Sequence, residues 1–338
     1  MDRRDRGARL AWTRREFLVR AGGGTLAGVG IAGLPGCARR RPGQATFIAR
    51  VARYDVELAA PILRGLRELG VTGSEIKGKR ILLKPNLVEP HLGAGHINTH
   101  PSVVRGAAEA FRRLGAAEIL VGDAPGHCRD SLLVLEESRL GEVLAADRLR
   151  YVDLNAAAVT TVPNLGGRTR LARLTLPAVA RQVDFIVSLA KLKTHHWAGV
   201  TLALKNLFGL LPGAYYGYPK NLLHREGIPK SIVDVAATVR AHFAIVDGIV
   251  GMEGDGPIMG AARPVGVLVL GRNLPAVDAT CARVMGIDPL KVTYLAAAAG
   301  WLGPVAAAEI GQRGEAIAAV RTEFALPEHI PALRGLRG

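Results

Sequence analysis

Short apolar segments alternate along this chain with segments of helical spacing, from about residue 46 to residue 312. The clearest apolar segments are residues 80–83, 118–121, 184–189 and 244–246. Short apolar runs separated by helical stretches are typical of parallel strands joined by crossover helices. The sequence therefore predicts an α/β fold, with one large domain built on a mostly parallel sheet and helices on both faces.

Polar side chains follow four of these predicted strands directly. They are Lys84-Pro85-Asn86, Gly122-Asp123, Lys191-Leu192-Lys193 with His195, and Asp247-Gly248. Ligands of open α/β sheets bind beyond the carboxyl ends of the strands. We therefore expect these separated segments to build a single site.

The segment from residue 191 to residue 206 predicts an anion site. In an extended chain Lys191, Lys193 and His195 share one side, because side chains alternate. A helix predicted over residues 199–211 would present free backbone N–H groups beside these amines, an arrangement that favours phosphate or carboxylate. The alternative is a solvated strand end with surface lysines. The predicted substrate-binding side chains are Lys84, Asn86, Lys191, Lys193, Thr201, Lys205 and Asn206.

Lysine is scarce in this chain, since only nine of the 44 basic residues are lysine. Arginine supplies positive charge almost everywhere else. A lysine is therefore a hint that a compact point charge is needed at that position, and chance is the alternative.

The loop after residue 247 places three acids among glycines. Asp247, Glu253 and Asp255 could hold Mg²⁺ or Ca²⁺, or act as general acid or base. The alternative is a turn-rich loop whose acids face water, and the spacing is not that of an EF-hand. With His195 these acids are the predicted metal ligands, and His195, Asp247, Glu253 and Asp123 are the predicted catalytic residues.

The first 37 residues are predicted to be a twin-arginine signal peptide. Arg14-Arg15-Glu16-Phe17-Leu18 precedes an apolar stretch over residues 21–34, which is too short for an ordinary transmembrane helix. Leu34-Pro35-Gly36-Cys37 resembles a lipobox, so lipidation of Cys37 is expected, with ordinary cleavage nearby as the alternative. The expected partner is the twin-arginine translocase. The expected location is the cell envelope, either periplasmic or anchored on the outer side of the cytoplasmic membrane.

Domain boundaries follow from this assignment. We expect a linker over residues 38–45, the α/β domain over residues 46–312 and a C-terminal extension over residues 313–338. The net charge of +15 is scattered, with no long basic run, so nucleic acid is not an expected partner.

The spacing of the three cysteines does not match the common iron–sulfur motifs. Cys37, Cys128 and Cys281 show no CxxC or ferredoxin-type spacing, so no iron–sulfur cluster is expected from this chain alone. Cys128 follows His127 at a strand end, where it is a reactive thiol, a buried small residue or a partner for Cys281.

Several motifs of this chain resemble, in order, those of the domain of unknown function 362 family. They are Lys84-Pro85-Asn86, Thr99-His100-Pro101, Gly122-Asp123-Ala124-Pro125-Gly126, Lys191-Leu192-Lys193-Thr194-His195, Ala203-Leu204-Lys205-Asn206-Leu207-Phe208-Gly209, Asp247-Gly248, Glu253-Gly254-Asp255-Gly256-Pro257 and Asp278-Ala279. The resemblance covers about residues 46–300 and implies fold more than function. Some members carry ferredoxin-type cysteine runs, and this sequence departs from them.

These observations favour an envelope enzyme that acts on a small anionic substrate, with a divalent metal as the expected cofactor if one is used. Lys191, Lys193 and Lys205 would bind the anion, and His195 would transfer a proton or bind metal. Asp278 is expected to cap the helix that it opens. The alternatives are a non-catalytic lipoprotein that binds an anionic solute or cofactor, and a redox partner whose cofactor is loaded before export.

Overall fold

Eleven-residue strand β7 (Phe185–His195) lies at the centre of the fold, and every one of its residues is buried. A strand that is buried along its whole length needs cover on both faces of its sheet. A computed structural model describes residues 44–126 and 130–337. The other strands are β1 (Ala45–Arg50), β2 (Arg80–Pro85), β3 (Glu118–Asp123), β4 (Arg150–Asp153), β5 (Val159–Pro163), β6 (Arg173–Pro177), β8 (Gly199–Thr201), β9 (Phe243–Glu253), β10 (Ala261–Gly271) and β11 (Gly311–Gly314).

The main sheet has the order β11-β1-β10-β9-β7-β2-β3-β4, and β8 pairs with β7 at its end. Strands β9, β7, β2, β3 and β4 run parallel, whereas β10 is antiparallel to both of its neighbours. Strands β5 and β6 form a separate hairpin. The predicted α/β class and the mostly parallel sheet are confirmed.

Helices cover both faces of this sheet. Leu82 of β2 belongs to a core cluster with helices α10 and α11, and its neighbour Ile81 belongs to a second cluster with α1 and α3. Adjacent residues of one strand point to opposite faces, so the two clusters are the two sides of the sheet. The α-helices are α1 (Ala59–Glu68), α2 (Gly73–Ile76), α3 (Pro101–Arg113), α4 (Ser131–Glu137), α5 (Leu140–Ala146), α6 (Val179–Gln182), α7 (Ala203–Asn206), α8 (Gly213–Tyr216), α9 (Asn221–Glu226), α10 (Ile228–Val239), α11 (Leu274–Val284), α12 (Thr293–Ala298) and α13 (Ile317–Val320).

The segment after β7 differs from the predicted long helix. Strand β7 runs on past the sheet and turns back as β8, with Lys193 opposite Thr201. Gly199 has φ of 79°, a conformation that glycine adopts at no steric cost, and it begins the returning strand. Helix α7 follows, and a 3₁₀ turn continues it over Leu207–Leu210. The predicted helix over residues 199–211 is therefore wrong at its first turn.

The C-terminal residues add to the same core. Phe324, Leu333 and Leu336 are buried in the cluster that contains α10 and α11. None of the helices within residues 44–126 and 130–337 is long and apolar enough to cross a membrane. The signal-peptide residues Arg14 and Arg15, the lipobox Cys37 and Cys128 lie outside the described residues.

Candidate functional site

A cavity of about 230 Å³ opens beyond the carboxyl ends of β2, β3 and β7. Four of the nine lysines line it, and no arginine does so in the part of the chain that the structure describes. The lining lysines are Lys84, Lys193, Lys205 and Lys220. The use of lysine rather than arginine in the cavity wall indicates that compact amines, and not planar guanidinium groups, are needed there.

Lys84 is bound by three acceptors at the end of β2. Its Nζ donates to Asp123 Oδ1 at 2.8 Å, to the backbone oxygen of Pro85 at 2.6 Å and to Asn206 Oδ1 at 2.8 Å. An ammonium group has three hydrogens, so every one of them is used. Burial lowers the pKa of Lys84 and raises that of Asp123, and the mutual attraction of the two charges opposes both shifts.

The backbone holds Asp123 on its other sides. Its two oxygens accept from the N–H groups of Leu87 and Ala124 at 2.7 and 2.9 Å. Gly209 passes so close that an added Cβ would lie 1.9 Å from Asp123 Oδ1 and 2.3 Å from Lys84 Nζ. The glycine that ends the motif from Ala203 to Gly209 is therefore required by the ion pair, since any side chain there would displace it.

Lys193 is buried without a carboxylate partner. Its Nζ donates to the backbone oxygens of Ile97 at 2.8 Å and Pro257 at 3.2 Å. Burial, followed by the charges of Lys191 and Lys205, holds the pKa of Lys193 well below its ordinary value. Two of the three hydrogens of its ammonium form are used in this way, which leaves one for a ligand.

Lys205 and Lys220 complete the set of amines. The pKa of each is lowered to about 7, with burial as the largest cause. The charge of Lys84 contributes to the lowering at both, and the charge of Asp123 opposes it at Lys220. Lys220 donates to Asn155 Oδ1 at 3.2 Å, whereas the Nζ of Lys205 lies 4.0 Å from the centre of the Phe208 ring. At neutral pH each of these two lysines is divided between its charged and neutral forms.

His195 presents one N–H group to the cavity. Its Nδ1 accepts from the backbone N–H groups of Trp197 at 3.1 Å and Ala198 at 3.4 Å, so its proton lies on Nε2. Burial, with the charge of Lys205 as the second cause, lowers the pKa of His195 well below its ordinary value. His195 is therefore a neutral hydrogen-bond donor in the free protein.

Two predicted binding side chains are left with unpaired atoms. The Thr201 hydroxyl and Asn86 Oδ1 are buried without a hydrogen-bond partner, and both residues line the cavity. Thr201 lies on β8 rather than on the predicted helix over residues 199–211, so it reaches the cavity from a different element than Lys205 of α7. Buried polar groups without partners are uncommon, so these two residues of the cavity wall have hydrogen-bonding capacity that the protein does not use.

The predicted anion site at a helix N-terminus is filled by the protein itself. Asp278 accepts from the backbone N–H groups of Ala203 at 2.8 Å and Leu204 at 3.0 Å, which are the first two of α7. Burial raises the pKa of Asp278 to about 7. Asp278 was expected to cap its own helix, but it lies inside α11 and caps α7 instead.

Lys191 lies outside the cavity, which corrects its predicted contact with substrate. Its Nζ donates to Asp247 Oδ2 at 2.8 Å and to the Tyr54 hydroxyl at 2.9 Å. Tyr54 in turn donates to Asp247 Oδ1 at 2.9 Å, and the backbone N–H of His100 donates to Asp247 Oδ2 at 3.1 Å. Asp247 is therefore held within a structural network rather than placed for catalysis in the cavity.

Comparisons with known proteins agree with the motifs. The family model described as domain of unknown function (DUF362) matches residues 81–283. The thylakoid-associated protein sll1697 of Synechocystis sp. is 30% identical over 260 residues, which cover 74% of this chain and 77% of that protein. The chain belongs to the DUF362 family. The family expected from the sequence motifs is confirmed.

Two solved structures are similar in part to this DUF362 chain. One is a Thermotoga maritima protein, with 15% identity and a TM-score of 0.37 over 66% of this chain. The other is the lactate racemase apoprotein of Thermoanaerobacterium thermosaccharolyticum, with 16% identity and a TM-score of 0.40 over 73% of this chain. The matched region spans 58% of each of those two chains.

The four predicted metal ligands are not brought together in this DUF362 chain. Asp247 is bound by Lys191, Glu253 accepts from the backbone N–H of Ala325 at 2.9 Å, and Asp255 pairs with His196 at 3.1 Å. Within residues 44–126 and 130–337, no three His, Cys, Asp or Glu side chains are arranged to hold a metal ion. The predicted metal site, and with it the predicted role of Glu253 and Asp255 beside His195, is therefore not formed.

Sequence reasoning missed Lys220 and Tyr54. Lys220 follows a loop rich in glycine, tyrosine and proline, and no motif marks it. The scarcity of lysine was the signal that could have found it. Four of the nine lysines are exposed on the surface, and the other five lie at strand ends or in the cavity wall. No local signal points to Tyr54, whose partner Asp247 is 193 residues away.

Proposed function

We propose that this DUF362 chain is an enzyme that binds a small substrate bearing a carboxylate or phosphate in the cavity and transfers a proton on it. One observation carries this proposal. Lys193, Lys205 and Lys220 line one cavity, and none of them forms an ion pair within the described residues.

Electrostatics explains why such a cavity suits an anion. Removing an ammonium group from water costs several kcal/mol unless an opposite charge compensates, and here the cost appears as lowered pKa values. A carboxylate or phosphate in the cavity supplies the missing charge. Binding then raises the pKa of Lys205 and Lys220, so these amines take up protons as the ligand enters.

The same groups can transfer protons. A lysine whose pKa is about 7 is partly deprotonated at neutral pH and serves as a general base. The Nε2–H of His195 can donate to an oxygen on which negative charge develops. Asp123 was predicted to be catalytic, but its oxygens are held by Lys84 and two backbone N–H groups, so we assign it to holding Lys84.

Calorimetry with inorganic phosphate and with malonate tests the binding step. We expect the wild-type protein to bind at least one of them, and the Lys205→Met variant to bind about tenfold more weakly or worse. Lys230→Met is the matched control, because Lys230 is an exposed lysine of α10 away from the cavity. Binding that Lys205→Met leaves unchanged would contradict the proposal.

Proton transfer needs its own measurement. Pyruvate and dihydroxyacetone phosphate both carry an anionic group and an exchangeable C–H, so proton NMR in D₂O reports exchange at carbon. We expect the wild-type protein to accelerate the exchange of at least one of them and Lys205→Met to abolish this. Binding without any exchange would favour the alternative, a non-catalytic anion-binding protein.

We also propose that the chain is exported in folded form by the twin-arginine translocase and acts in the cell envelope, anchored through Cys37. The support is the sequence alone, in Arg14-Arg15 and in Leu34-Pro35-Gly36-Cys37. Cell fractionation of an Arg14→Lys, Arg15→Lys variant should show loss of export. The matched control replaces Arg3 and Arg4 with lysine, and Cys37→Ser should release the protein from membranes. Export that survives loss of both twin arginines would overturn this location.

A further inference from the structure

The four lysines of the cavity differ in what holds their nitrogens. Lys84 has three acceptors, Lys193 has two and Lys220 has one. Lys205 has none in the part of the chain that the structure describes, and its nitrogen lies against the Phe208 ring instead. Among the described residues that line the cavity, Lys205 is thus the amine whose nitrogen is free to form a new bond.

The fold keeps Lys205 in place without engaging its nitrogen. Its backbone belongs to α7, which Asp278 caps through two buried hydrogen bonds. The Phe208 ring lies against the end of the side chain. Burial, followed by the nearby charges of Lys84 and Lys220, lowers the pKa of Lys205 to about 7. At neutral pH a fraction of the Lys205 side chains is therefore the nucleophilic free amine.

The surroundings of Lys205 suit a carbonyl beside an anionic group. Lys193 and Lys220 are placed to pair with a carboxylate, and His195 donates from Nε2. Lys205 is close enough to His195 for its charge to lower the pKa of that histidine. An amine, a hydrogen-bond donor and cationic anchors are what imine formation on an oxo acid requires.

We propose that Lys205 forms a covalent imine with a small 2-oxo acid, which names the substrate class of the proposed function and rests on it. The amine nitrogen attacks the ketone carbon, so a C–N bond forms while the C=O π bond breaks. The carbinolamine oxygen then leaves as water with the two protons that the nitrogen loses. His195 donates a hydrogen bond from Nε2 to this oxygen, and the two protons reach the oxygen from the nitrogen through solvent. No oxidant or reductant is consumed.

Reductive trapping tests this proposal on the full chain. The wild-type protein is incubated with pyruvate or glyoxylate and sodium cyanoborohydride, which reduces an imine to a stable secondary amine. Intact mass followed by peptide mapping should show one adduct, located at Lys205. Lys205→Met should abolish it, and Lys230→Met should not. Mapping of the wild-type protein decides the question even if Lys205→Met fails to fold.

The outcomes separate this inference from the proposed function. Reduced adducts confined to exposed lysines, or no adduct at Lys205 with either oxo acid, overturn the imine. If phosphate or malonate still binds in that case, the anion-binding enzyme survives with Lys205 as a base. If binding fails as well, both proposals fall together.

Discussion

Two buried lysine–aspartate pairs lie at the carboxyl edge of the same sheet, and they differ in what covers them. Lys84 pairs with Asp123 from β2 and β3, and Lys191 pairs with Asp247 from β7 and β9. Each nitrogen–oxygen distance is 2.8 Å, and all four side chains are at most 1% exposed. The first pair borders the cavity, and the second does not.

The cover comes from residues far along the chain. Tyr54, from the segment after β1, closes the Lys191 pair, and the His100 ring stacks on it with 3.7 Å between ring centres. Burial lowers the pKa of His100 to about 4, so this cover is neutral. Gly209 packs directly against the Lys84 pair, and all three residues line the cavity. One ion pair is therefore closed off under an aromatic cover, whereas the other forms part of a cavity wall.

Replacing the lysine of each pair should give the largest loss of stability. Lys84→Met and Lys191→Met each leave a buried carboxylate without its partner, which costs about 3–5 kcal/mol of unfolding free energy. Urea unfolding measures this loss. Phosphate affinity should separate the two variants, because Lys84→Met leaves the Asp123 charge unpaired at the cavity wall, whereas Lys191→Met removes a side chain that does not line the cavity. Equal loss of phosphate binding in both would remove the distinction between the pairs.

Adding a methyl group at Gly209 should destabilise the protein by about 2–3 kcal/mol, because the new Cβ would overlap the Lys84–Asp123 pair. Gly73→Ala is the matched control. Its added Cβ meets nothing closer than 3.7 Å, so the expected change is within about 0.5 kcal/mol. Thermal or urea unfolding measures both variants. A tolerated Gly209→Ala would show that the pair has room to move.

The meeting of polar residues at the strand ends was predictable from the sequence, because it depends only on the sheet topology. Parallel strands place their carboxyl ends at one edge, so Lys84, Asp123 and Lys193 had to meet there once the strands were assigned. Lys205 was predicted to bind substrate from a helix over residues 199–211, and the structure places it in the cavity wall on α7. The pattern of apolar and polar residues, together with the strand order, therefore predicts much of the candidate site.

The remaining features depend on contacts that local patterns do not contain. Thr201 pairs with Lys193 as a hairpin, so the segment after residue 199 is a strand although its spacing suggested a helix. Asp278 reaches α7 across 75 residues and takes the N–H groups that were expected to bind an anion. Tertiary pairing overrides local propensity in both cases.

Anion affinity should fall as pH rises, which sharpens the contrast between the open and closed pairs. The pKa of Lys205 and of Lys220 is about 7, and an anion favours their protonated forms. Above about pH 7, affinity for phosphate should therefore drop by up to about tenfold per pH unit for each lysine that must be charged. Calorimetry between about pH 6 and pH 9 measures the slope.

The ligand-free protein should show the opposite dependence. Because these pKa values are lowered on folding, the unfolded chain holds more protons between about pH 7 and pH 10, so this contribution to stability grows as pH rises through that window. Lys205→Met should flatten both curves, whereas Lys230→Met should flatten neither. An affinity that is independent of pH would argue against charged amines as the anchors.

The smallest effect should come from one hydroxyl at each pair. Tyr54 donates to Asp247 at 2.9 Å and accepts from Lys191, whereas the Tyr151 hydroxyl donates to the backbone oxygen of Asp123 at 3.3 Å. Tyr54→Phe removes a hydrogen bond to a charged group and should cost about 1.5–2 kcal/mol, while Tyr151→Phe should cost about 0.5 kcal/mol. Neither variant should change phosphate affinity. A weaker phosphate affinity in Tyr54→Phe would mean that the closed pair communicates with the cavity through β7, and the two pairs would then belong to one site.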